Sequence, residues 1–176
     1  MNDTMRKLSP SPSSLTRDDF VSHYGGIYEH SPWIAEAAWD AGLQPEADTP
    51  LGLATAMGAV VDAAGQERQL ELLRAHPDLA GKAAVAGELT AESTEEQASA
   101  GIDQCTAEEF ARFQDFNDRY KRRFAMPFIM AVRGANRHQI LAAFESRLDN
   151  PKTVEFATAL AEVHKIARLR LQAMAG

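Results

Sequence analysis

TAEEFARFQDFNDRYKRRF, residues 106–124, is the stretch of the chain that indicates its fold class most directly. Thr106 and Glu109 have the spacing of a capping box, in which an N-cap hydroxyl and the carboxylate three residues later bond reciprocally to backbone N–H groups. Aromatic residues then recur at steps of three and four as far as Phe124, which is the period of one face of an α-helix. The stretch therefore predicts a long amphipathic helix whose aromatic face packs into a core.

Similar helix-start signals recur along the chain, whereas strand signals are nearly absent. A cap residue followed by proline, or by an acidic or amide residue three positions later, favours a helix start. Such starts occur at Thr16, Ser31, Thr49, Ser93, Asn136 and Asn150. A leucine-rich helix is also expected over residues 66–75. We therefore expect an all-α, single-domain bundle of roughly seven to nine helices, with one short non-helical apolar segment near 127–132.

The length and composition are those of one globular domain. The chain has 176 residues, of which 45% are hydrophobic and 24% charged, and both values are ordinary for a single folded domain. The stretch SPSPSS at residues 9–14 indicates a flexible N-terminal tail over residues 1–15. Residues 16–176 are then expected to form one helical domain.

Charge, cysteine content and hydropathy argue against several classes of protein. A net charge of −7 is unfavourable for binding nucleic acid. The single cysteine, Cys105, excludes an intrachain disulfide and a cysteine-based metal cluster, and the histidines lack a metal-binding spacing. There is no apolar signal region and no membrane-length apolar run. We expect a cytoplasmic protein with no metal, no nucleic-acid partner and no membrane association.

The stretch LLRAHPDLAG, residues 72–81, places a histidine at the end of the leucine-rich helix. Proline lacks an N–H and disfavours the α region for the residue before it, so the helix should end near Ala75, with His76 at its carboxyl end. One interpretation is structural, since a histidine there bonds well to the last helical carbonyls. The other is chemical: the helix dipole favours the imidazolium form, a usable general acid, and Pro77 helps to aim the ring.

The stretch STEEQ, residues 93–97, also has two interpretations. Ser93 and Glu96 have the spacing of a capping box, which needs no catalytic role. A helix start also offers free backbone N–H groups and a positive dipole end, where Ser93, Glu96 and Gln97 could meet a small polar, anionic ligand. Gln97 is not needed for the cap, so it is the more suggestive residue.

Arg170 in the last helix lies on a face that is otherwise apolar, together with Val163, Ile166 and Met174. An arginine in such a stripe either extends its charged end to the surface or is paired within the core. The functional interpretation is a cation that binds a carboxylate or polarises a carbonyl. Arg168 lies on a neighbouring face, so spacing alone leaves both arginines open.

The segment PFIMAVRG, residues 127–134, is a short apolar run bounded by proline and by an Arg-Gly pair. It could be a core strand or a linker. Alternatively, it is a non-helical segment whose main-chain N–H and C=O groups need partners, which a polar heterocycle with amide edges could supply.

Four motifs follow one another in an order and spacing that resemble a known enzyme family, the 2-oxo-4-hydroxy-4-carboxy-5-ureidoimidazoline (OHCU) decarboxylases of uric acid degradation. The motifs are HPDLAGKAA at 76–84, SxxEQxxAG at 93–101, PFIMAVRG at 127–134 and KIARLRL at 165–171. The N-terminal stretch YGGIYEHSPWIAEAAW is similar too. The resemblance covers the chain from about Phe20 to about Leu171.

The resemblance implies an all-helical, cofactor-free and usually dimeric enzyme. Such an enzyme decarboxylates the anionic ureidoimidazoline and protonates it on one face, which gives (S)-allantoin. By the same resemblance, the catalytic residues are His76, Glu96 and Arg170. The implied substrate-binding residues are Pro77, Ser93, Gln97 and the main chain of Phe128, Ile129, Met130, Ala131 and Val132.

The chain departs from the family's usual pattern just before Pro127, where Ala125-Met126 stands in place of a glycine and an aromatic residue. The difference bears on the packing behind the pocket and not on its polar residues.

Two other functions are compatible with the residues themselves. One is a non-enzymatic helical interaction module in which the polar residues act as caps. The other is a lyase or hydrolase that acts on a different ureido compound.

Overall fold

The computed structural model describes residues 6–81 and 87–176, and these residues form an all-α fold. No β-strand occurs among them, although Leu8 and Ala175 form an isolated bridge. None of the described helices is both long and apolar enough to cross a membrane. The all-α prediction is confirmed. The described α-helices are α1 (Arg17–Tyr24), α2 (Trp33–Asp40), α3 (Pro50–Ala63), α4 (Gln66–Arg74), α5 (Ala91–Ser99), α6 (Ala107–Phe124), α7 (Arg137–Arg147) and α8 (Lys152–Ala173).

Most helices begin where the sequence predicts, because an N-cap side chain acts on the helix that it starts. The Thr106 hydroxyl accepts from the Glu109 N–H at 3.1 Å, and the Glu109 carboxylate accepts from the Thr106 N–H at 3.0 Å. Ser31 is an exception. Helix α2 has Pro32 as its N-cap, with no side-chain cap bond, because the Ser31 hydroxyl donates to the Glu29 carbonyl instead.

The described chain divides into two compact units. The first unit contains the described residues up to Ala75 together with Val163–Gly176, and the second contains His76–Glu162. Helix α8 therefore contributes its amino-terminal half to the second unit and its carboxyl-terminal half to the first. The assignment of residues 16–176 to one domain stays a prediction.

The core of the first unit is built by α1, α2 and α3. The Phe20 ring lies 5.4 Å from the Tyr24 ring and 5.3 Å from the Trp39 ring, measured between centroids. Leu53 and Met57 of α3 are fully buried. Aromatic and aliphatic residues at helical spacing thus fill this core, as the periodicity indicates.

Residues 6–15 belong to the first unit and make specific contacts. Leu8 is buried, and its N–H donates to the Asp48 carbonyl at 2.7 Å. The Asp48 carboxylate accepts from the Ser13 N–H at 2.8 Å and from the Ser13 hydroxyl at 2.5 Å. These contacts join residues 8–15 to distant partners in the same unit, and the flexible tail over residues 1–15 stays a prediction. Residues 1–5 of the expected tail lie outside the described part of the chain.

The core of the second unit is aromatic and follows the stripe on α6. The rings of Phe128 and Phe144 are stacked with centroids 3.7 Å apart, and the Tyr120 ring meets Phe128 edge-on at 5.4 Å. Phe113 and Phe116 of α6 also contact Phe144. The aromatic face predicted for residues 106–124 is therefore the wall of this core.

The segment 127–132 is non-helical, as expected. Helix α6 ends at Phe124, and Ala125 adopts a left-handed conformation with φ of 57°. The chain then runs without regular structure until α7 begins at Arg137. Phe128 and Ile129 are buried, so the segment is part of the second unit's core.

Candidate functional site

The break predicted at His76 is present. Helix α4 ends at Arg74, and Ala75 is its C-cap, with its N–H bonded back to the Glu71 carbonyl at 3.1 Å. His76 is the first residue beyond this cap and is half-buried, as is Pro77. The imidazole is therefore carried by a short turn rather than by a regular helix.

The residues after Pro77 form a tight loop. Ala80 has a left-handed backbone with φ of 53°, which is unusual for a residue with a side chain. A Cβ on Gly81 would lie 2.6 Å from the Asp78 Cβ, so the close approach requires glycine there. The Asp78 carboxylate is paired with the Lys121 ammonium of α6. This pairing gives Asp78 a structural role, whereas Lys82 lies outside the described residues.

Helix α5 carries Ser93, Glu96 and Gln97, and it begins earlier than predicted. Its N-cap is Thr90, whose hydroxyl accepts from the Ser93 N–H at 3.2 Å. Ser93 is therefore not the N-cap, and the expected capping box with Glu96 is wrong. Thr90 prevails because its extended backbone suits a cap, and its carbonyl also accepts from the Thr94 N–H.

The earlier start leaves Glu96 within the helix rather than in its first turn. Steps of three and four residues place Ser93, Glu96 and Gln97 on one face of α5. Ser93 and Gln97 are buried, and Glu96 is half-buried. The structural explanation of Glu96 as a cap residue therefore does not apply.

Gln97 bonds to the loop that follows His76. Its side-chain oxygen accepts from the Ala80 N–H at 3.1 Å, and its side-chain nitrogen donates to the Asp78 carbonyl at 3.3 Å. The oxygen and the nitrogen of the amide thus both bond to main-chain groups, which lie seventeen and nineteen residues earlier in the sequence. A glutamate or leucine could not make both bonds.

Two residues of α6 hold the same loop. The Gln114 amide nitrogen donates to the Ala80 carbonyl at 2.5 Å, and the Asn117 amide nitrogen donates to the Leu79 carbonyl at 2.9 Å. Asn117 is 3% exposed. Neither residue was predicted from the sequence, although a polar residue at position 117 within an aromatic stripe is a signal for such a role.

A partly buried ion pair holds the segment 127–132 at Ile129. The Arg147 guanidinium donates to the Ile129 carbonyl at 2.7 Å and to the Glu155 carboxylate at 2.9 Å. Asn150 and the Tyr120 hydroxyl also donate to this carboxylate. Burial by itself would raise the pKa of Glu155, but hydrogen bonds from Arg147, Tyr120 and Asn150 outweigh it and hold the pKa below its ordinary value.

A second carboxylate holds the same segment. The Ala131 N–H donates to the Glu162 carboxylate at 3.0 Å, and the Val132 carbonyl accepts from the Ala135 N–H at 3.0 Å. Three of the main-chain groups in the predicted substrate-binding stretch, at Ile129, Ala131 and Val132, therefore have partners within the protein.

Arg170 lies in the first unit and is paired. It is 5% exposed, and its guanidinium lies 3.6 Å from the Glu29 carboxylate and donates to the Ile27 carbonyl at 3.3 Å. Glu29 is 1% exposed. The charged end of Arg170 therefore does not extend to the surface, whereas Arg168 is exposed. The sequence analysis missed Glu29, because local spacing gives no sign that a glutamate in a loop will be buried against a distant helix.

The residue before Glu29 is also bonded to α8 within the first unit. The Tyr28 hydroxyl is 2.7 Å from His164 Nδ1, and His164 Nε2 is 3.1 Å from the Asp62 carboxylate. Burial, followed by the nearby Asp62 charge, raises the pKa of the Tyr28 phenol above its ordinary value. The phenol thus stays neutral and serves as a bonding group that orders the chain beside Glu29.

The second unit also contains a cavity of about 530 Å³. Gln97, one of the predicted site residues, lines this cavity. The other lining residues are largely apolar and include Leu89, Ile102 and Phe110. Among the described residues, His76, Ser93 and Glu96 do not line it. No cluster of histidine, cysteine and acidic side chains suited to a metal ion occurs in the described ranges.

Comparison with known proteins identifies the family. Residues 13–172 match the family described as OHCU decarboxylase. The chain is 46% identical to a 2-oxo-4-hydroxy-4-carboxy-5-ureidoimidazoline decarboxylase of Haloferax volcanii over 157 residues, which is 89% of each chain. It is 38% identical to the corresponding protein of Amia calva over 160 residues, or 91% of this chain and 90% of that one.

Solved structures agree with this result. A crystal structure of (S)-allantoin synthase superposes with a TM-score of 0.74 and 36% identity over 93% of this chain, which spans 52% of that longer chain. A crystal structure of OHCU decarboxylase in the presence of (S)-allantoin superposes with a TM-score of 0.64 over 80% of this chain and 89% of that one; at 22% identity it shows the fold alone. With a family match over residues 13–172 and relatives of similar length, the chain belongs to the OHCU decarboxylase family.

Proposed function

We propose that this chain is a carboxy-lyase that converts 2-oxo-4-hydroxy-4-carboxy-5-ureidoimidazoline to (S)-allantoin in urate degradation. The observation that carries the proposal is the 46% identity, over 89% of both chains, to a relative named as the decarboxylase of that compound. The likeness to (S)-allantoin synthase supports the same product.

The reaction requires orientation and one proton rather than an external electron acceptor. Loss of CO₂ breaks the bond to the carboxylate and leaves an electron pair, which the adjacent C=N of the substrate can absorb. Addition of one proton to one face of the ring then sets the chirality of the product. The protein must therefore orient the carboxylate, stabilise developing charge and deliver the proton from a fixed direction.

We assign His76 as the residue that donates this proton. Its place at the end of α4 favours the imidazolium form, and the turn at Pro77 directs the ring. Glu96 maintains the charge state of His76 and binds the ureido or hydroxyl group of the substrate. Its half-buried position on α5, away from the helix start, supports a role other than capping.

Arg170 supplies a positive charge that balances the substrate's negative charge or polarises a ring carbonyl. Its burial against Glu29 supports this assignment over Arg168, because a fixed and desolvated guanidinium acts more strongly than an exposed one.

The remaining predicted residues orient the heterocycle. Ser93 does so through its buried hydroxyl, and the stretch Phe128–Val132 through main-chain groups. Because the Ile129 carbonyl and the Ala131 N–H already have protein partners, we expect the substrate to use other main-chain groups of this stretch. We also assign Pro77 and Gln97 to substrate binding, and Gln97 in addition holds the loop after His76.

We further propose that the protein is a cytoplasmic homodimer. Its ligand is the small anionic substrate, and it binds neither nucleic acid nor a membrane. The net charge of −7 supports the exclusion of nucleic acid. Sedimentation equilibrium at micromolar concentration should give twice the 19.2 kDa chain mass, and a mass of one chain would contradict the dimer.

The assay for the proposed function uses ureidoimidazoline generated freshly from urate. Circular dichroism should show accumulation of (S)-allantoin faster than the racemic product of the spontaneous reaction. Conversion at the spontaneous rate, with no dichroic signal, would refute the proposed function. Full activity after treatment with a metal chelator would argue against a metal-dependent hydrolase of another ureido compound.

A further inference from the structure

We propose that Gln114 and Asn117 of α6 are positioning residues for proton delivery: together with Gln97 they fix the backbone of residues 78–80 and thereby the direction of the His76 imidazole. These three residues are called the amide clamp. The inference rests on the proposed function, because it assumes that His76 is the proton donor.

The first support is the number of backbone groups that the amide clamp engages in one short loop. It bonds to the Asp78 carbonyl, the Leu79 carbonyl, and both the N–H and the carbonyl of Ala80. Loop backbone usually satisfies such groups with water or with its own turn. Four bonds from two helices to three successive residues leave this loop little freedom to move.

The second support is the backbone of Ala80. Alanine disfavours the left-handed conformation that it adopts here, with φ of 53°. Such a conformation persists where the surroundings determine it, and it is common at functional sites. Gln97 and Gln114 bond to the two main-chain groups of Ala80, so the amide clamp holds the chain at its strained point.

The third support is the chemistry of Asn117. Its amide nitrogen bonds to the Leu79 carbonyl, but in the described part of the chain its side-chain oxygen, which is buried, has no hydrogen-bond partner. Burying an unpaired acceptor is unfavourable, and the aromatic face of α6 would accept a leucine of similar size. The asparagine is therefore better explained by the hold on Leu79 than by stability.

The loop transmits this hold to His76 over a short distance. Asp78, the first residue bonded by the amide clamp, is two positions after His76, and Pro77 between them has a fixed φ. The imidazole therefore starts from a backbone that cannot rotate freely. A proton donor aimed at one face of a planar intermediate needs this kind of restraint, because the direction of delivery determines the enantiomer formed.

The test compares Gln114→Met and Asn117→Leu with a matched control, Gln69→Met. Gln69 is also half-buried, and its amide donates to the Val61 carbonyl at 2.9 Å, so the control loses a bond from a glutamine amide to a main-chain carbonyl at the carboxyl end of α3. For each variant, kcat, KM, melting temperature and the enantiomeric excess of allantoin are measured at enzyme concentrations where the spontaneous reaction is negligible.

We expect kcat to fall by roughly ten- to a hundredfold in both clamp variants, as for a small misplacement of a reacting group, with little change in KM. The enantiomeric excess should fall with kcat. The control should keep the wild-type kcat and enantiomeric excess, and all three melting temperatures should lie within about 4 °C of wild type. Clamp variants that behave like the control would overturn the proposal.

Amide hydrogen exchange tests the amide clamp independently of the enzymatic activity. In Gln114→Met the Ala80 N–H keeps its bond to Gln97, but the loop loses the bond to the Ala80 carbonyl. The loop should therefore open more readily, and exchange of the Ala80 N–H should quicken by about fivefold, the change expected when one ordinary hydrogen bond no longer opposes opening. Gln69→Met should leave this exchange unchanged. A wild-type protein without activity would refute the proposed function alone. Unchanged exchange at Ala80 in an active protein would refute the amide clamp alone. If Asn117→Leu does not fold, the half-buried Gln114→Met still decides the result.

Discussion

The loop after His76 and the surroundings of Arg170 are held by different chemistry. Neutral amides bond to the main chain of the loop at 2.5–3.3 Å. Arg170, in the other unit, is held by the carboxylate of Glu29, and both side chains are buried. One region fixes a backbone without adding charge, and the other fixes a charged side chain by placing an opposite charge beside it.

Substitutions in the two regions should therefore have different effects on activity and stability. Loss of one amide side chain that bonds to the loop removes a modest net stabilisation of about 1 kcal/mol. It also changes the direction of the His76 imidazole, which the loop positions. Loss of Glu29 removes a buried carboxylate that lies beside a buried guanidinium, and breaking a buried ion pair is far more costly. We expect variants of the loop to lose activity before stability, and variants of the ion pair to lose stability first.

The largest stability effect is expected for Glu29→Gln. The change keeps the size of the side chain but removes one charge of a buried ion pair, so the free energy of unfolding should fall by about 3–5 kcal/mol. Urea denaturation at neutral pH measures this. The matched control is Glu71→Gln at an exposed position of the same unit, where the change should stay within about 0.5 kcal/mol. Equal effects for the two variants would show that Glu29 does not stabilise Arg170.

A somewhat smaller effect is expected for Glu155→Gln, with a specific dependence on pH. Hydrogen bonds hold the pKa of Glu155 below its ordinary value in the folded state. A lowered carboxyl pKa contributes stability above the unfolded value of about 4.3, and that stability is lost as the pH falls through the folded value. Removing the charge should cost about 3 kcal/mol at neutral pH.

Urea denaturation from neutral pH to below pH 4 would test this prediction. The difference between wild type and Glu155→Gln should shrink as the pH falls below about 4. Glu145→Gln, at an exposed position of α7, is the control and should show little difference at any pH. A gap between wild type and Glu155→Gln that stays constant on acidification would contradict the ionic role of Glu155.

The smallest effect is expected where glycine replaces an alanine with positive φ. Ala80 and Ala125 have φ of 53° and 57°. Glycine adopts this backbone without strain, but it also makes the unfolded chain more flexible. The net effect of Ala125→Gly should be an increase of about 0.5–1 kcal/mol in the free energy of unfolding. Ala80→Gly should gain less, because it also loses a buried methyl group. Only Ala80→Gly should lower the enantiomeric excess of allantoin; a similar decrease in Ala125→Gly would contradict a special role for the loop.

Local sequence patterns predicted the parts of the fold that local physics determines. The capping box of Thr106 and Glu109 and the helix end before Pro77 depend on residues within one turn, and both are present. Even here two local signals compete. Thr90 caps α5 in place of Ser93, because two good cap residues lay three positions apart and only the fold decided between them.

The parts of the site that depend on distant contacts were not predictable from spacing. Gln97 was singled out, but its bonds to the loop cross seventeen and nineteen residues of sequence. Glu29 and Arg170 are brought together by the packing of the first unit. The family resemblance indicated glycine at position 125, and the left-handed backbone of Ala125 supplies the physical reason.

The most direct test of the account is the chirality of allantoin made by wild type and by His76→Asn from freshly generated ureidoimidazoline. Wild type should produce a strong dichroic signal of the S enantiomer. The variant should retain its helical far-ultraviolet spectrum, with a rate lower by roughly a hundredfold to ten-thousandfold, as for loss of a general acid, and a nearly racemic product. Rapid formation of (S)-allantoin by a folded His76→Asn protein would contradict the assignment of His76 as the proton donor.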